Sequence, residues 1–135
     1  MSKFVQSFQD LDVYRAAFKL QQKLFVVSKR WPDAEKFALT DQIRRSSRSI
    51  GANIAEAWAK RRYPAHFLSK LTDSDGELQE TIHWVESAFA CQYLTQIEHG
   101  DLIAEALSAG RQLGSMINEY ESFCLNHRPT VAPSL

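Results

Sequence analysis

The sequence predicts an all-α fold, an antiparallel up-down-up-down four-helix bundle, and three observations lead to this class. Apolar residues recur at alternating spacings of three and four over four long segments. The connections between these segments are short, and no stretch alternates apolar and polar residues as a half-buried strand does. A chain of 135 residues is also long enough for one core only. We therefore expect one bundle domain over residues 10–125, with an N-terminal arm at 1–9 and a disordered tail at 126–135.

The first predicted helix runs from about residue 10 to residue 30. Its apolar stripe consists of Val13, Ala17, Leu20, Leu24, Val27 and Trp31, and a second stripe of Leu11, Tyr14, Phe18 and Phe25 widens the same face. Pro32 interrupts the pattern, because the residue before a proline avoids the α region. A face this wide is covered on two sides, which favours oligomerisation.

The second predicted helix continues to about residue 62, with an apolar stripe of Leu39, Ile43, Ile50, Ile54 and Ala57. A polar stripe of Gln42, Ser46, Ser49, Asn53 and Glu56 runs beside it at spacings of three and four. Because buried polar groups need hydrogen-bond partners, we predict a structural polar network that fixes helix register or subunit orientation. Its predicted members are Gln42, Arg45, Ser49, Asn53, Glu56, Ser74 and Glu77.

Two further helices are predicted after Pro64. The third runs to about residue 93 with a stripe of Leu68, Leu71, Leu78, Ile82, Val85 and Phe89, and Ser74 and Asp75 stand where an apolar residue is expected. The fourth ends near residue 125, and its seam is Ile103, Ala106, Gly110, Leu113, Ile117, Tyr120 and Cys124. Its small residues Ala106, Gly110 and Gly114 are expected to let another helix approach closely.

Charge is unevenly distributed along the chain. Residues 1–70 hold 14 basic and 6 acidic side chains, whereas residues 71–135 hold 2 and 10. The leading interpretation is that basic elements pack beside acidic ones, in the same chain or in a neighbouring copy. The alternative is a nucleic-acid footprint, because phosphate binding needs clustered cations. The candidate contacts for RNA or DNA are Arg44, Arg48, Lys60, Arg61, Arg62 and Tyr63, and the favoured exposed contact is formed by Lys60, Arg61 and Arg62.

Catalytic, cofactor and metal chemistry find little support in the sequence. It contains neither a Gly-rich phosphate loop nor a nucleophile elbow, and it suggests no small-molecule substrate. Glu80 and His83 have the Glu-x-x-His spacing of di-iron bundles, but the second copy that such a site requires is missing. Cys91 and Cys124 are expected to be reduced core residues. With neither a membrane span nor a signal peptide in the sequence, we expect a cytoplasmic protein without membrane contacts.

The second helix also carries a family resemblance. Residues 42–56, QIRRSSRSIGANIAE, resemble the signature of the four-helix bundle proteins encoded in intervening sequences of 23S ribosomal RNA genes. Further similar positions are Phe8, Leu11, Val13, Tyr14 and Ala17, then Trp31, Pro32, Glu35 and Leu39, then Ser74, Glu77 and Leu78. The chain departs from the family pattern at Ala57, Asp73 and Asp75.

The resemblance implies a homo-oligomer, typically a pentameric ring of bundles, with no established catalytic activity. A related fold serves as an accessory protein of diversity-generating retroelements, where a basic pentamer associates with reverse transcriptase and nucleic acid. That likeness supports nucleic-acid binding by analogy only. The leading hypothesis is a non-enzymatic homo-oligomeric scaffold or interaction protein. The alternative is a nucleic-acid-binding module whose basic clusters on the second helix repeat around the oligomer.

Overall fold

The computed structural model describes residues 5–125, and this part of the chain contains four α-helices and no strand. The helices are α1 (Asp12–Ser28), α2 (Asp41–Ala59), α3 (Pro64–Ala90) and α4 (Gln96–Asn118). The predicted all-α, four-helix class is confirmed. The tail predicted at 126–135 lies outside the described residues, as do the first four residues of the predicted arm.

Consecutive helices contact each other, and α1 also contacts α4, so the four helices close into a bundle. In each pair, residues early in one helix meet residues late in the other, as antiparallel neighbours do. The pairings are Tyr14 with Gly51 and Ser28 with Arg44; Ser46 with Thr81 and Ile50 with Ser74; Leu78 with Gly110 and Glu86 with His99; and Lys19 with Glu105 and Arg30 with Glu98.

The helices are shorter than the periodicity predicts, because irregular turns flank them. A 3₁₀ turn at Asp33–Glu35 and a π turn at Lys36–Thr40 precede α2, where the sequence predicts continuous α-helix. At the other end, a 3₁₀ turn at Tyr120–Phe123 follows α4. Apolar spacing alone does not distinguish these turns from an α-helical turn, since their hydrogen bonds shift by one residue without breaking the pattern.

The end of α3 is set by Gln92, whose φ of 65° is left-handed. The Gln92 N–H donates to the Phe89 carbonyl and the Tyr93 N–H to the Ala88 carbonyl, each over 2.9 Å. These two bonds form a Schellman motif, which satisfies the last carbonyls of the helix and stops it before the predicted end.

The two cysteines have different environments. Cys91 follows α3 in the turn that contains Gln92, and it is exposed, so the prediction that it belongs to the core is wrong. Cys124 is buried, as predicted. Burial raises the pKa of its thiol.

The predicted stripe of α2 lies in the core, and so does the first stripe of α1 except for Val27, which is half-buried. In the second stripe of α1, Leu11 is buried, Tyr14 and Phe25 are half-buried, and Phe18 is exposed. In α3 the buried positions are Phe67, Leu71, Ser74, Leu78, Thr81, Val85 and Ala88, and in α4 they are Leu102, Ala106, Ala109, Leu113 and Met116. Half of the predicted α3 stripe is therefore only half-buried, and the α4 seam is displaced by about one residue. Both helices carry two adjacent apolar stripes, and periodicity alone does not choose between them.

The small-residue face of α4 is used within the chain. Ala106 is fully buried, and a Cβ added to Gly110 would lie 3.4 Å from a Leu78 methyl group. The helix that approaches closely at this point is therefore α3. Gly114 lies in open space among the described residues, because a Cβ added there would meet nothing within 4 Å.

Candidate functional site

Ion pairs between α1 and α4 account for part of the uneven distribution of charge along the chain. Lys23 lies 2.9 Å from an Asp101 oxygen and 3.0 Å from a Glu105 oxygen, and Lys19 lies 3.2 Å from Glu105. Arg30, just beyond α1, pairs with Glu98. The hydrogen bonds that Lys23 donates to Asp101 and Glu105 raise the pKa of Lys23, and the bond from Lys23 lowers the pKa of Glu105. Basic and acidic elements thus pack beside each other in the same chain.

A second set of ion pairs joins α2 to α3. The two terminal nitrogens of Arg45 each lie 3.2 Å from a Glu77 oxygen, and Arg45 also pairs with Glu80. Glu80 accepts a further hydrogen bond of 3.1 Å from the Trp84 indole. The hydrogen bonds from Arg45 and Trp84 lower the pKa of Glu80, while those to Glu77 and Glu80 raise the pKa of Arg45.

Hydroxyl groups occupy the centre of the α2–α3 contact. The Ser46 and Thr81 hydroxyls are 2.8 Å apart, and both residues are fully buried. The Ser74 hydroxyl donates to the Ile50 carbonyl over 2.8 Å. Thr81 is absent from the residues predicted from the sequence, and Ser46 belongs to the predicted polar stripe but not to the predicted network. One signal in the sequence could have identified the two hydroxyls of α3 as buried. Ser74 and Thr81 are seven residues apart, and they lie at helical spacing between the buried apolar residues of α3.

The other predicted network residues do not join into one buried network. Ser49 donates to the Arg45 carbonyl over 2.8 Å and Asn53 to the Ser49 carbonyl over 2.9 Å, so both bond within α2. Glu56 is exposed and pairs with Lys70 of α3 at 2.9 Å. Gln42 is half-buried. The structure therefore brings Arg45 to Glu77 and Ser74 to the α2 backbone, and leaves the rest on the rim.

Two of the predicted nucleic-acid contacts, Arg44 and Arg48, converge on the Phe25 ring of α1. The guanidinium carbons of Arg44 and Arg48 lie 4.9 Å and 5.6 Å from the ring centroid, and the Lys29 nitrogen lies 4.7 Å from it. Arg44 donates to the Ser28 hydroxyl over 2.9 Å. None of these three cations forms an ion pair with a carboxylate within residues 5–125. We call Phe25, Lys29, Arg44 and Arg48 the Phe25 cluster.

The remaining predicted contacts lie at the end of α2. Arg61 packs its guanidinium carbon 3.6 Å from the Trp58 ring centroid and donates to the Trp58 carbonyl over 2.8 Å. Burial lowers the pKa of Arg61. Lys60, Arg62 and Tyr63 are exposed. Arg61 is therefore engaged within the chain, while its two cationic neighbours face outward.

An apolar groove runs along the outer side of the α1–α4 contact. It has a volume of about 560 Å³, and its walls include Phe18, Val26, Val27 and Leu102. Phe18 is 45% exposed and Val26 is 62% exposed, although both belong to a helix that packs into the core. Leu107 of α4 is 51% exposed. Large apolar side chains gathered on an outer face are typical of protein contact surfaces.

The hypothesis of a metal site at Glu80 and His83 gains no support from the described residues. Within residues 5–125, no group of three or more His, Cys, Asp or Glu side chains is arranged to hold a metal ion. Glu80 is engaged by Arg45 and Trp84, and the His83 ring lies 4.9 Å from that of Trp84. Among the described helices, none combines the length and apolar character needed to cross a membrane.

Comparison with known proteins adds a family and a structural relative. The profile of the family described as 23S rRNA-intervening sequence protein matches residues 9–115. A crystal structure from Bacteroides thetaiotaomicron, described as a protein of unknown function from the S23 ribosomal protein family, is similar with a TM-score of 0.71 and 28% identity. The match covers 78% of this chain and 95% of that one. No curated protein matches the chain.

Proposed function

The chain belongs to the 23S rRNA-intervening sequence protein family, and on that premise we propose that it works as a non-enzymatic, homo-oligomeric interaction protein of the cytoplasm. The family resemblance implies five copies in a ring. The relative from Bacteroides thetaiotaomicron is described as having unknown function, and the family description names no catalytic activity. A scaffold that presents repeated surfaces needs no catalytic group, only faces that bind another copy and faces that stay free.

The outer α1–α4 surface is the observation that supports assembly. Phe18 and Val26 project from α1 beside the apolar groove, and their exposure leaves apolar area in contact with water. Burying apolar area contributes roughly 25 cal/mol per Å². Lys19 and Lys23 border the groove and are already paired with α4 carboxylates, so a neighbouring copy would meet a charge-neutral rim.

Solution mass tests this proposal. We expect light scattering to give about five times the 15.4 kDa chain mass for the wild type. Val26→Lys places a charge on the groove wall and should lower the mass. Phe37→Lys is the matched control, because Phe37 is 74% exposed but lies outside the groove. A wild-type mass of a single chain would overturn the proposal, and equal masses for both variants would show that another face is used.

Nucleic-acid binding is the second candidate function, and it is favoured by cations that form no ion pair with a carboxylate within residues 5–125. These include the three cations of the Phe25 cluster and the exposed pair Lys60 and Arg62. Repetition around a ring would multiply each contact. Binding of this kind weakens as salt rises, because phosphate contacts release counterions. A titration of labelled RNA and DNA at about 0.15 M and 1 M salt tests it.

A further inference from the structure

We infer that the Phe25 cluster is the site that holds the phosphodiester backbone of nucleic acid. This inference rests on the second candidate function and places it on the surface where α1 meets α2. From the sequence, Lys60, Arg61 and Arg62 at the end of α2 are the favoured exposed contact. The structure instead favours Arg44 and Arg48, and it adds Phe25 of α1 and its C-cap Lys29, which are absent from the predicted contacts.

The cations on and near α1 and α2 differ in their partners. Lys19, Lys23 and Arg45 all lie against carboxylates of the facing helix. The three cations of the Phe25 cluster instead share a single aromatic ring and lack an ion pair in the described part of the chain. Cation–π attraction to the ring offsets part of their mutual repulsion. A bound anion would relieve the remainder.

Arg44 is held in a defined geometry. Its Nε donates to the Ser28 hydroxyl over 2.9 Å, one of its terminal nitrogens donates to the Phe25 carbonyl over 3.5 Å, and its guanidinium lies against the Phe25 ring. The side chain is therefore held in place before any ligand arrives. A planar guanidinium presents paired donors that match two phosphate oxygens. Because Arg48 and Lys29 are exposed beside it, they are free to contact the same or a neighbouring phosphate.

The cluster at the end of α2 is engaged differently. Arg61 uses one donor on the Trp58 carbonyl and stacks on the Trp58 ring, which leaves two outward cations there. Lys60 and Arg62 also follow the last turn of α2, where cations interact favourably with the helix dipole. Lys29 has the same advantage as the C-cap of α1, but Arg44 and Arg48, in the N-terminal half of α2, have none.

Two variants with equal loss of charge test the inference. Lys29→Gln with Arg48→Gln removes the two exposed cations of the Phe25 cluster and leaves the Arg44–Ser28 bond intact. Lys60→Gln with Arg62→Gln is the matched control, because it removes two exposed cations from the end of α2. The probe is a labelled uridine homopolymer, followed by a thymidine homopolymer and a DNA duplex to identify the nucleic acid. Circular dichroism of each variant checks that helix content is unchanged.

We expect the cluster variant to bind the probe roughly tenfold more weakly at low salt. The slope of log K against log salt should become shallower by about 0.7 for each phosphate of a single strand that the variant no longer neutralises. The control variant should keep both values. If the cluster variant binds like the wild type while the control is weakened, the inference is wrong and nucleic-acid binding stands. If the wild type binds none of the probes, or binds only vesicles of anionic phospholipid, both the inference and the second candidate function fail.

Discussion

The α2–α3 pair and the α1–α4 pair are both antiparallel and both carry ion pairs at their rims, but their interiors differ. Between α2 and α3, the Ser46–Thr81 hydroxyl pair and the Ser74–Ile50 hydrogen bond lie in the core. Between α1 and α4, the described hydrogen bonds are those of rim charges such as Lys23. One pair is aligned by directional bonds in its centre, and the other by apolar burial with charges at its edge.

The register between two helices is specified more strictly at the α2–α3 contact than at the α1–α4 contact. An apolar interface tolerates changes of side-chain shape if volume is kept. A buried hydroxyl tolerates little displacement, because breaking its hydrogen bond leaves a desolvated polar group. We therefore expect α2–α3 to keep its alignment when α1–α4 is loosened.

The largest effect on the free energy of unfolding is expected at the apolar α1–α4 contact. Leu102 of α4 is 1% exposed, so Leu102→Ala should lower the free energy of unfolding by about 2–5 kcal/mol through reduced burial and a residual cavity. Urea unfolding followed by circular dichroism measures this value. Leu102→Met is the control, with an expected decrease below about 1.5 kcal/mol. Equal decreases for the two variants would contradict the importance of volume at this contact.

The next effect concerns the hydroxyl pair. Thr81→Val keeps shape but removes the Ser46 partner and the 2.8 Å bond to the Glu77 carbonyl, so it should cost about 1–3 kcal/mol. The double variant Ser46→Ala with Thr81→Val should cost less than the two single changes added together, because no hydroxyl of the pair is then left unpaired. Strict additivity in this cycle would mean that the two hydroxyls do not depend on each other.

Acid should weaken both pairs. The pKa of Glu105 is lowered chiefly by Lys23, that of Glu98 by the Thr95 backbone N–H, and that of Glu80 by Arg45. A lowered pKa in the folded state contributes stability that is present above the unfolded value of about 4.3 and is lost as the pH falls through the folded values. The unfolding free energy should therefore fall below about pH 4.3.

Single variants apportion this acid sensitivity between the pairs. Glu105→Gln should remove the contribution of the α1–α4 ion pairs, and Glu80→Gln that of the α2–α3 ion pairs. In each variant the free energy of unfolding should therefore fall less steeply in acid than it does in the wild type. Denaturant midpoints measured across the acidic range provide the test. An unchanged pH profile in both variants would show that these ion pairs contribute nothing to folding.

The smallest effect should come from Asn53 at the rim of α2–α3. Its side chain donates to the Ser49 carbonyl one turn earlier in the same helix and is half-buried. Asn53→Leu should therefore change the free energy of unfolding by less than about 0.5 kcal/mol, as at other surface positions. A thermal melt compared with that of the wild type measures it. A large decrease would place Asn53 in a buried network after all.

Much of the fold follows from periodicity, and its failures have physical causes. The stripe of α2 and the first stripe of α1 identify the inward face, whereas the second stripe of α1 includes the exposed Phe18. In α3 and α4 the predicted stripes are only partly buried, because Leu68, Ile82 and Ile103 compete with the residues that are actually buried. The end of α3 at Gln92 escapes prediction because a left-handed glutamine carries no glycine signal.

Only part of the candidate site can be predicted from the sequence, because the site depends on contacts between helices. Arg44 and Arg48 are recognisable in the sequence as clustered charges. The ring that both contact is Phe25, and the sequence pattern places Phe25 in an apolar stripe of another helix. Which cations find a carboxylate partner depends on the pairing of helices in space. Lys23 is neutralised by Asp101, 78 residues away, whereas Lys29 has no such partner in the described part of the chain. Sequence spacing within one helix does not contain this information.

The closure of α1 on α4 has a consequence for chain connectivity. Asp12 and Val13 at the start of α1 line the same cavity, of about 580 Å³, as Ser115 and Met116 near the end of α4. The two ends of the helical core therefore lie side by side. A circular permutant that links them and opens the chain at the exposed turn before Pro64 would keep every helix contact. It would also turn the most distant pairing of the chain, α1 with α4, into a hairpin of sequence neighbours.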